Sequence, residues 1–459
     1  MRLTRREERY RLKHLTQVCH TTLDPKQPGV VRIHLLPPRE DGNQDTPYTV
    51  ILNGQDILPI TFTWAVLLSA FMEELNVFSG REIPDEAYEQ LTRRTLERVK
   101  KVYPFVSKSR FRKDLYRILD TLIRIARGEE PREDVGTLSI FAYAPYMRAP
   151  HRMDLMVSAM TDEKGVWQCN QRCVHCYAAG QPLAGQRELT TEEWKRVIDR
   201  CRQACVAQLT FTGGEPTMRK DLVELIEYAG FFITRLNTNG ALLTKELCGR
   251  LYEASLDSVQ VTLYSADRDI HERLVGAKRY DETLAGIRNA VEAGLSVSVN
   301  TPLCALNRDY VGLLREVSAM GVRYFTCSGL IPTGGACTEA SERLALDRDA
   351  LLNILRQAFA YCGENGLEIN FISPGILTEQ ELRTVGATQI PSCGAALSNM
   401  AVAPDGEVVP CQSWLGESLG NLLTEPFDRI WDCPRCRQIR EESAKGEQVC
   451  QLRQGKEES

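Results

Sequence analysis

The chain has 459 residues, 43% of them hydrophobic and 25% charged, with a net charge of -5. That length carries a large buried core in two or three domains, and the mild acidity gives no general attraction for nucleic acid or an anionic membrane surface. The basic start, MRLTRREERYRLKHL, lacks an apolar core and does not read as a secretory signal, and the apolar run WAVLLSAFM (64–72) is far short of the roughly 20 residues a spanning helix needs. The expectation is a cytoplasmic protein with no nucleic-acid or membrane partner. Its 16 cysteines, in a long chain without an export signal, point to metal or redox chemistry more than to disulfides.

Residues 1–150 hold few chemical signals. VVRIHL (30–35) and YTVILNG (48–54) read as strands, the second ending in the turn dipeptide Asn53-Gly54, and DILPITF reads as a third. FTWAVLLSAFMEEL (62–75), DEAYEQLTRRTLERVKK (85–101) and KDLYRILDTLIRIARG (113–128) read as helices. In the last, Leu115, Ile118, Leu119, Leu122 and Ile123 share one face and Gly128 ends it. The region is expected to be an α+β domain, a short sheet followed by three helices.

From Arg152 the rhythm changes. RMDLMVSAM reads as a strand running into a cysteine-rich loop. The strands QLTFTGG, FITRLNTNG, SVQVTLYS, VSVNTPL, VRYFTCSGLI and LEINFIS follow, each preceded by a helical stretch. They are nearly all apolar or β-branched, which suits a parallel sheet covered on both faces. Such units build a full or partial barrel or an open doubly wound sheet, and in either case chemistry gathers at the C-terminal strand ends. After about residue 385 come two short strands, SNMAVAP and GEVVPC, around Pro404-Asp405-Gly406. Cysteines recur to the end, and the tail QGKEES is expected to be disordered.

CNQRCVHC places thiols at Cys169, Cys173 and Cys176. Thiolates bind soft metals. A closed zinc site needs four ligands, and His175 offers a fourth, although zinc ligands usually come as two separated pairs. A [4Fe–4S] cluster usually takes four cysteines; three leave one iron open for another ligand. Spacing alone leaves both readings standing. Cys19, Cys201, Cys205, Cys248, Cys304 and Cys362 lie inside helical or strand patterns and read as small buried hydrophobes.

The Cys169-x3-Cys173-x2-Cys176 loop follows a first barrel strand. Gly213-Gly214-Glu215-Pro216 ends the next strand, Asn237-Thr238-Asn239-Gly240 ends the third, and IHERLVG opens the helix after the fourth. Together these resemble the radical S-adenosylmethionine (radical SAM) superfamily over residues 152 to about 375. The resemblance implies an α/β fold with a partial (β/α)6-type TIM barrel over 151–385. It implies that Cys169, Cys173 and Cys176 hold a [4Fe–4S] cluster whose open iron chelates S-adenosylmethionine. Gly213, Gly214 and Glu215 would grip the methionine end, Glu215 by a charge-assisted bond to the ammonium and the glycines by letting backbone approach the ligand. Thr238, Thr262 and Ser265 would line the nucleoside, and His175 would pack on adenine. An electron from a flavodoxin- or ferredoxin-type partner would then yield a 5′-deoxyadenosyl radical that abstracts hydrogen from substrate. Three positions depart from the family pattern. His175 replaces an aromatic residue, Thr262 a serine with Tyr264-Ser265 in place of Asp-Gly, and Val275 a second arginine, so that Arg273 must hold the carboxylate or the contact is lost.

Cys393-x12-Gly406-x4-Cys411, followed by GNLLTEPFDRIWD (420–432), is similar to the SPASM and twitch extensions, which hold auxiliary iron–sulfur clusters. It implies an auxiliary site over 386–459 with ligands Cys393, Cys411 and Cys450 and the fourth unassigned. Cys433 and Cys436 either join that site or are incidental. Cys327 and Cys337, flanking GLIPTGG, either face the barrel cavity or simply pack. Enzymes with such extensions commonly modify peptides or protein side chains, so a ribosomally made peptide or a protein is the expected substrate. The alternatives are a small-molecule enzyme like the nucleotide cyclase of molybdenum-cofactor synthesis, whose glycine-rich basic tail is not found here, and an iron–sulfur scaffold or electron carrier, which would need no methionine pocket. In topology residues 1–150 resemble the leader-peptide recognition domains that bind by strand addition at a sheet edge; a cap over the barrel mouth is the plainer alternative. No catalytic acid or base is named by the sequence.

Overall fold

The computed structural model describes residues 3–23, 31–39, 46–78, 85–132, 135–447 and 449–454. Val30, at the start of the first expected strand, and 455–459 of the expected disordered tail lie outside the described residues. The chain divides into two compact units. One is Met1–Ala149 with Cys201–Ala207 and Phe231–Ile233; the other is Pro150–Arg200 with Gln208–Gly230 and Thr234–Ser459.

The first unit is built on a four-stranded antiparallel sheet in sequential order: β1 (Cys19–Leu23), β2 (Val31–Leu36), β3 (Tyr48–Leu52) and β4 (Asp56–Ile60). Helix α1 (Arg5–His14) precedes it; α2 (Phe62–Leu75), α3 (Asp85–Val102) and α4 (Lys108–Ala126) follow. Among the described residues the sheet has one strand, and the unit two helices, more than the patterning suggests: β1, α1 and a single turn at Ile140–Tyr143. β1 buries only Thr21 fully, so no apolar stripe marks it. α1 is charged nearly throughout, buries only Tyr10, and is started by a reciprocal capping box between Thr4 and Glu7. The β3–β4 turn falls at Asn53-Gly54, both at positive φ, as a tight hairpin requires. Pro59 is tolerated because β4 is an edge strand. The core packs Leu67, Leu68 and Met72 of α2 with Ile33, Leu35, Val50 and Leu52 of the sheet.

The second unit carries β5 (Arg152–Ser158), β6 (Gln208–Gly213), β7 (Ile233–Thr238), β8 (Ser258–Thr262), β9 (Ser296–Pro302), β10 (Tyr324–Ser328) and β11 (Glu368–Phe371), side by side in chain order. Pairing is parallel from β5 to β6 and from β7 through β11. Helices α5 (Thr191–Gln203), α6 (Leu222–Tyr228), α7 (Lys245–Glu253), α8 (Arg268–Val275), α9 (Tyr280–Glu292), α10 (Tyr310–Ser318) and α11 (Arg348–Glu364) alternate with the strands. Thr244, Asp267, Asp309 and Asp347 each cap a helix start with a side-chain oxygen. This is the α/β partial-barrel arrangement expected. Beyond β5 the sheet continues into β12 (Asn399–Val402), parallel to β5, and antiparallel β13 (Glu407–Val409) and β14 (Gly420–Asn421). Helices α12 (Pro434–Ala444) and α13 (Gln451–Gln454) end the described chain. No helix among the described residues is long and apolar enough to cross a membrane.

The barrel strands are not all apolar on both faces. β6 is buried throughout, whereas β8 and β9 alternate: Val259, Val261, Val297 and Val299 are buried, while Gln260, Thr262, Ser298 and Asn300 are half-buried. Gln260, Thr262 and Asn300 of the polar set line a cavity on which the strand ends open. The end of β6 is sterically demanding. Gly213 sits at φ +127, and a Cβ there would fall on the Ser158 carbonyl oxygen; at Gly214 it would stand 2.6 Å from that of Ala159. Neighbouring backbone, and not only an incoming ligand, requires both glycines. Gly213→Ala is therefore expected to cost about 1–3 kcal/mol in backbone strain alone and to lower the thermal unfolding midpoint. Gly249→Ala, in the open interior of α7, is the control and leaves the midpoint unchanged or raises it.

Candidate functional site

The strand ends enclose a cavity of about 260 Å³. Cys169, Cys173, His175 and Cys176 reach it from the loop after β5, and Gly213, Gly214 and Glu215 from the end of β6. Asn237, Thr238, Asn239, Gln260, Thr262, Tyr264, Asn300, Pro302, Ser328 and Ser373 bring in the following strands; Gln412 and Ser413 arrive beside Cys411. Among the described residues its wall includes no lysine or arginine.

The cysteine loop has no regular secondary structure, yet it is held from two sides. Arg172 and Val174 donate their backbone N–H groups to Val275 (2.8 Å) and Leu274 (2.9 Å) at the end of α8, and Gly335 donates to Cys176 (2.8 Å). The Ser341 hydroxyl donates to the Val174 carbonyl at 3.1 Å, and the Trp167 indole to that of Gln171 at 2.7 Å. Gly276 in the left-handed conformation lets the chain pass close by, since a Cβ there would stand 2.6 Å from the Arg172 carbonyl oxygen. Gly334 does the same beside the Tyr177 carbonyl.

Burial pushes the Cys169 thiol up to about 12, with Glu215 and Cys176 adding to it. Cys173 is driven up by burial and then by Cys176 and Cys169. Three thiols that oppose one another's ionisation in a dry site suit a cationic metal centre, which stabilises all three thiolates at once. Among the described residues no group of three His, Cys, Asp or Glu side chains is placed to hold one metal ion. A single zinc needs its ligands at one point, whereas the cysteines of a cluster each bind a different iron.

Glu215 is 2% exposed. Its Oε1 accepts from the Thr217 N–H (3.0 Å), the Thr217 hydroxyl (2.5 Å) and the Thr238 hydroxyl (2.7 Å), and its Oε2 accepts from the Asn239 N–H (2.8 Å). Burial raises its pKa, and the Asn239, Thr217 and Thr238 donors oppose that rise. Oε1 is saturated and Oε2 keeps an acceptor site toward the cavity. The Thr238 hydroxyl spends its proton on Glu215 and accepts from the Gly240 N–H at 3.0 Å, so it orients the carboxylate.

His175 is buried, with both ring nitrogens unpartnered. Burial lowers its pKa to about 4, and its ring centroid lies 5.4 Å from that of Tyr264. It is thus a neutral ring on the wall with unused polar atoms, the condition of a side chain that meets a ligand. Thr262 lines the cavity; Ser265 does not, and its hydroxyl instead accepts from the Asp267 N–H at 3.0 Å as a local turn. Arg273 is exposed on α8 and off the wall, so it does not take the place of the arginine that Val275 displaces. Strand-end residues not singled out from sequence include Gln260, Asn300, Ser328 and Ser373. Alternation of polar and apolar residues in SVQVT and SVSVN was the signal that marked the first two.

The C-terminal cysteines divide into two groups. Cys393, Cys411 and Cys450 are close enough for their charges to interact; burial first, then the other two thiols, pushes Cys411 up to about 12. The adjoining chain is tied to the cysteine loop: Gln181 donates to the Ser413 carbonyl (3.1 Å) and accepts from the Leu415 N–H (3.0 Å). Cys433 is the N-cap of α12, its sulfur accepting from the Cys436 N–H at 3.3 Å. Cys436 is fully buried, with Arg440 3.6 Å from its sulfur. Cys327 is buried against Tyr310 of α10 and Cys362 of α11, facing the helices and not the cavity, and Cys337 is exposed. Cys201, Cys205, Cys248, Cys304 and Cys362 are buried as small apolar groups; Cys19 is half-buried.

A family model described as the radical SAM superfamily matches residues 168–316, and one described as an iron–sulfur cluster-binding domain, SPASM, matches 393–452. The chain is 30% identical over 284 residues to the Fe-coproporphyrin III synthase of Methanosarcina barkeri, covering 58% of this chain and 71% of that protein. It is 41% identical over 139 residues to a probable GTP 3′,8-cyclase of Methanopyrus kandleri, covering 30% of this chain and 45% of that one. Among solved structures, SuiB of Streptococcus suis bound to precursor peptide SuiA superposes with a TM-score of 0.55 at 14% identity, over 86% of this chain and 87% of that chain. The enzyme anSMEcpe with bound AdoMet gives 0.51 at 15% identity, over 64% and 84%. At these identities the structural likeness speaks to the fold alone. A radical SAM domain implies a [4Fe–4S] cluster and S-adenosylmethionine, and a SPASM domain implies auxiliary iron–sulfur clusters. Fold, family models and the relative matched over most of its own length agree: the chain belongs to the radical SAM superfamily, and it carries a C-terminal SPASM domain.

Proposed function

We propose that this radical SAM enzyme acts on a peptide or protein side chain, with Cys169, Cys173 and Cys176 holding its reactive cluster and Cys393, Cys411 and Cys450 an auxiliary one. The bound cluster and S-adenosylmethionine supply a one-electron cleavage that yields a hydrogen-abstracting radical. The chain's own residues position that chemistry. Oε2 of Glu215 takes the ammonium of the methionine end in a charge-assisted bond, while Thr238, Thr217 and Asn239 keep the carboxylate from turning away. His175 and Thr262 lie against the nucleoside. Cys loop and strand ends together exclude water from the reacting atoms.

The observation that carries the substrate class is the charge of the wall. Gln260, Asn300, Ser328, Ser373, Gln412 and Ser413 offer amides and hydroxyls, and no lysine or arginine accompanies them among the described residues. Such groups pair with peptide N–H and C=O. A triphosphate or the carboxylates of a porphyrin would enter this wall without a counter-charge, and burying an unpaired anion is strongly unfavourable. A tetrapyrrole substrate is the second reading, favoured by the 30% identity to an Fe-coproporphyrin III synthase. The unit around β1–β4 would take the leader of a peptide substrate. Strand addition there meets two obstacles: the His20 carbonyl of β1 accepts from Asn76 at 2.7 Å, and that of Ile57 in β4 accepts from the Leu138 N–H at 2.8 Å. A flavodoxin- or ferredoxin-type protein would supply the electron.

Three measurements test this reading. In reconstituted, dithionite-reduced enzyme, Cys173→Ala abolishes formation of 5′-deoxyadenosine, whereas Cys411→Ala keeps part of it but forms no modified product. Equal loss in both contradicts the division of the two cysteine sets. Glu215→Gln weakens S-adenosylmethionine binding about 10- to 100-fold by calorimetry, the worth of one hydrogen bond to a charged group. Titration with Fe-coproporphyrin III leaves the Soret band of the porphyrin unshifted. A saturable Soret shift reverses the choice of substrate.

A further inference from the structure

We propose that Arg453 sets the reduction potential of the auxiliary cluster, its guanidinium Nε–H donating to the sulfur surface that Cys450 anchors. The inference rests on the assignment of Cys393, Cys411 and Cys450 to that cluster.

Arg453 lies on α13, three residues after Cys450, and its backbone N–H donates to the Cys450 carbonyl at 2.8 Å. Its Nη2 donates to the Leu330 carbonyl at 2.6 Å, which fixes the plane of the guanidinium. Gln451, at the start of the same helix, bonds the Ile439 carbonyl (3.1 Å) and the Ser443 hydroxyl (3.0 Å) of α12, so the helix is held in place. Nε is shielded from solvent and has no partner. A buried N–H left unbonded costs about 1–3 kcal/mol, and more on a charged group, so an orphan of this kind marks a place where something else binds. The guanidinium interacts electrostatically with the Cys450 thiol, and Cys450 in turn with Cys393. A guanidinium stays charged and offers only donors, and the group that would stand beside it is an anionic, sulfur-rich cluster.

Reduction adds an electron to that cluster. A fixed cation and an N–H···S bond favour the reduced form, because net charge and hydrogen bonds to sulfur are what set such potentials. The planar fork suits both tasks from one side chain: Nη2 binds the cavity-wall carbonyl of Leu330 and leaves Nε–H for the sulfur, a fixed geometry that a lysine ammonium does not hold. Leu330 lines the cavity, so Arg453 also ties the auxiliary site to the wall along which substrate sits.

The test is an EPR-monitored redox titration of the reconstituted full chain. Arg453→Gln shifts the auxiliary cluster to lower potential by at least tenfold in its reduction equilibrium, about 59 mV for one electron, and leaves the cluster of the Cys169 loop unchanged. Arg453→Lys, which keeps the charge and loses the fork, falls between the two. A wild-type auxiliary potential in Arg453→Gln overturns the inference. Where Arg453→Gln does not load its iron, Arg453→Lys carries the test, and a wild-type potential there overturns it equally. Iron content of Cys411→Ala separates the two levels: full wild-type iron in that variant removes the cluster assignment itself, whatever Arg453 does.

Discussion

Two backbone hydrogen bonds to the end of α8, from Arg172 and Val174, hold three thiols on a loop that has no ladder or helix of its own. Everything at the cavity follows from that tether. A loop free to move would let the thiols separate, and mutual repulsion favours separation as soon as they ionise. Pinned at Leu274, Val275 and Gly335, they stay buried, and burial first, with neighbouring thiols adding to it, raises the pKa values of Cys169 and Cys173. The conformational cost of ordering the loop is met during folding. The helix that provides the tether ends at Gly276, whose left-handed turn keeps side-chain atoms off the Arg172 carbonyl.

Glu215 is held in a comparable way at the end of β6. A buried carboxylate with one oxygen saturated and the other only singly bonded has one direction left in which to act. The donors that saturate Oε1 come from the residue two positions on and from the end of the adjacent strand, β7. Strand order therefore sets side-chain orientation: β6 and β7 must be neighbours for Thr238 to reach it.

Spacing made the cysteine loop and the Gly-Gly-Glu-Pro strand end legible in the sequence, because those features are local. Alternation of helix and strand carried the barrel for the same reason. What the sequence hid was set by long-range neighbours. Ser265 carries a hydroxyl in a favourable register, yet its local turn to Asp267 claims it before any ligand does. Arg273 is the residue next to the tether at Leu274, but α8 directs it to solvent. Gly213 and Gly214 suggested room for a ligand, and the neighbouring Ser158 and Ala159 backbone requires them as well. β1 and α1 lack an apolar stripe, so periodicity could not find them. Gln260 and Asn300 were visible as polar residues in alternating strands, but an apolar-leaning count of each strand blurred the alternation.

The wall's charge narrows what the barrel can accept more than the fold does. A radical generated in a cavity reacts with whatever lies within reach, so selectivity has to come from what is admitted. Here the Thr326 hydroxyl donates to Asn300 Oδ1 at 2.8 Å and accepts from Gln260 Nε2 at 3.3 Å. Those bonds settle which end of each amide is turned away from Thr326: the oxygen of Gln260 and the nitrogen of Asn300. One acceptor and one donor on adjacent strands are thereby left free of Thr326. Arg453 bonds the carbonyl of the wall residue Leu330 at 2.6 Å but does not itself line the cavity. Among the described residues the wall's polar groups are thus mainly amides and hydroxyls, with cationic side chains kept off it.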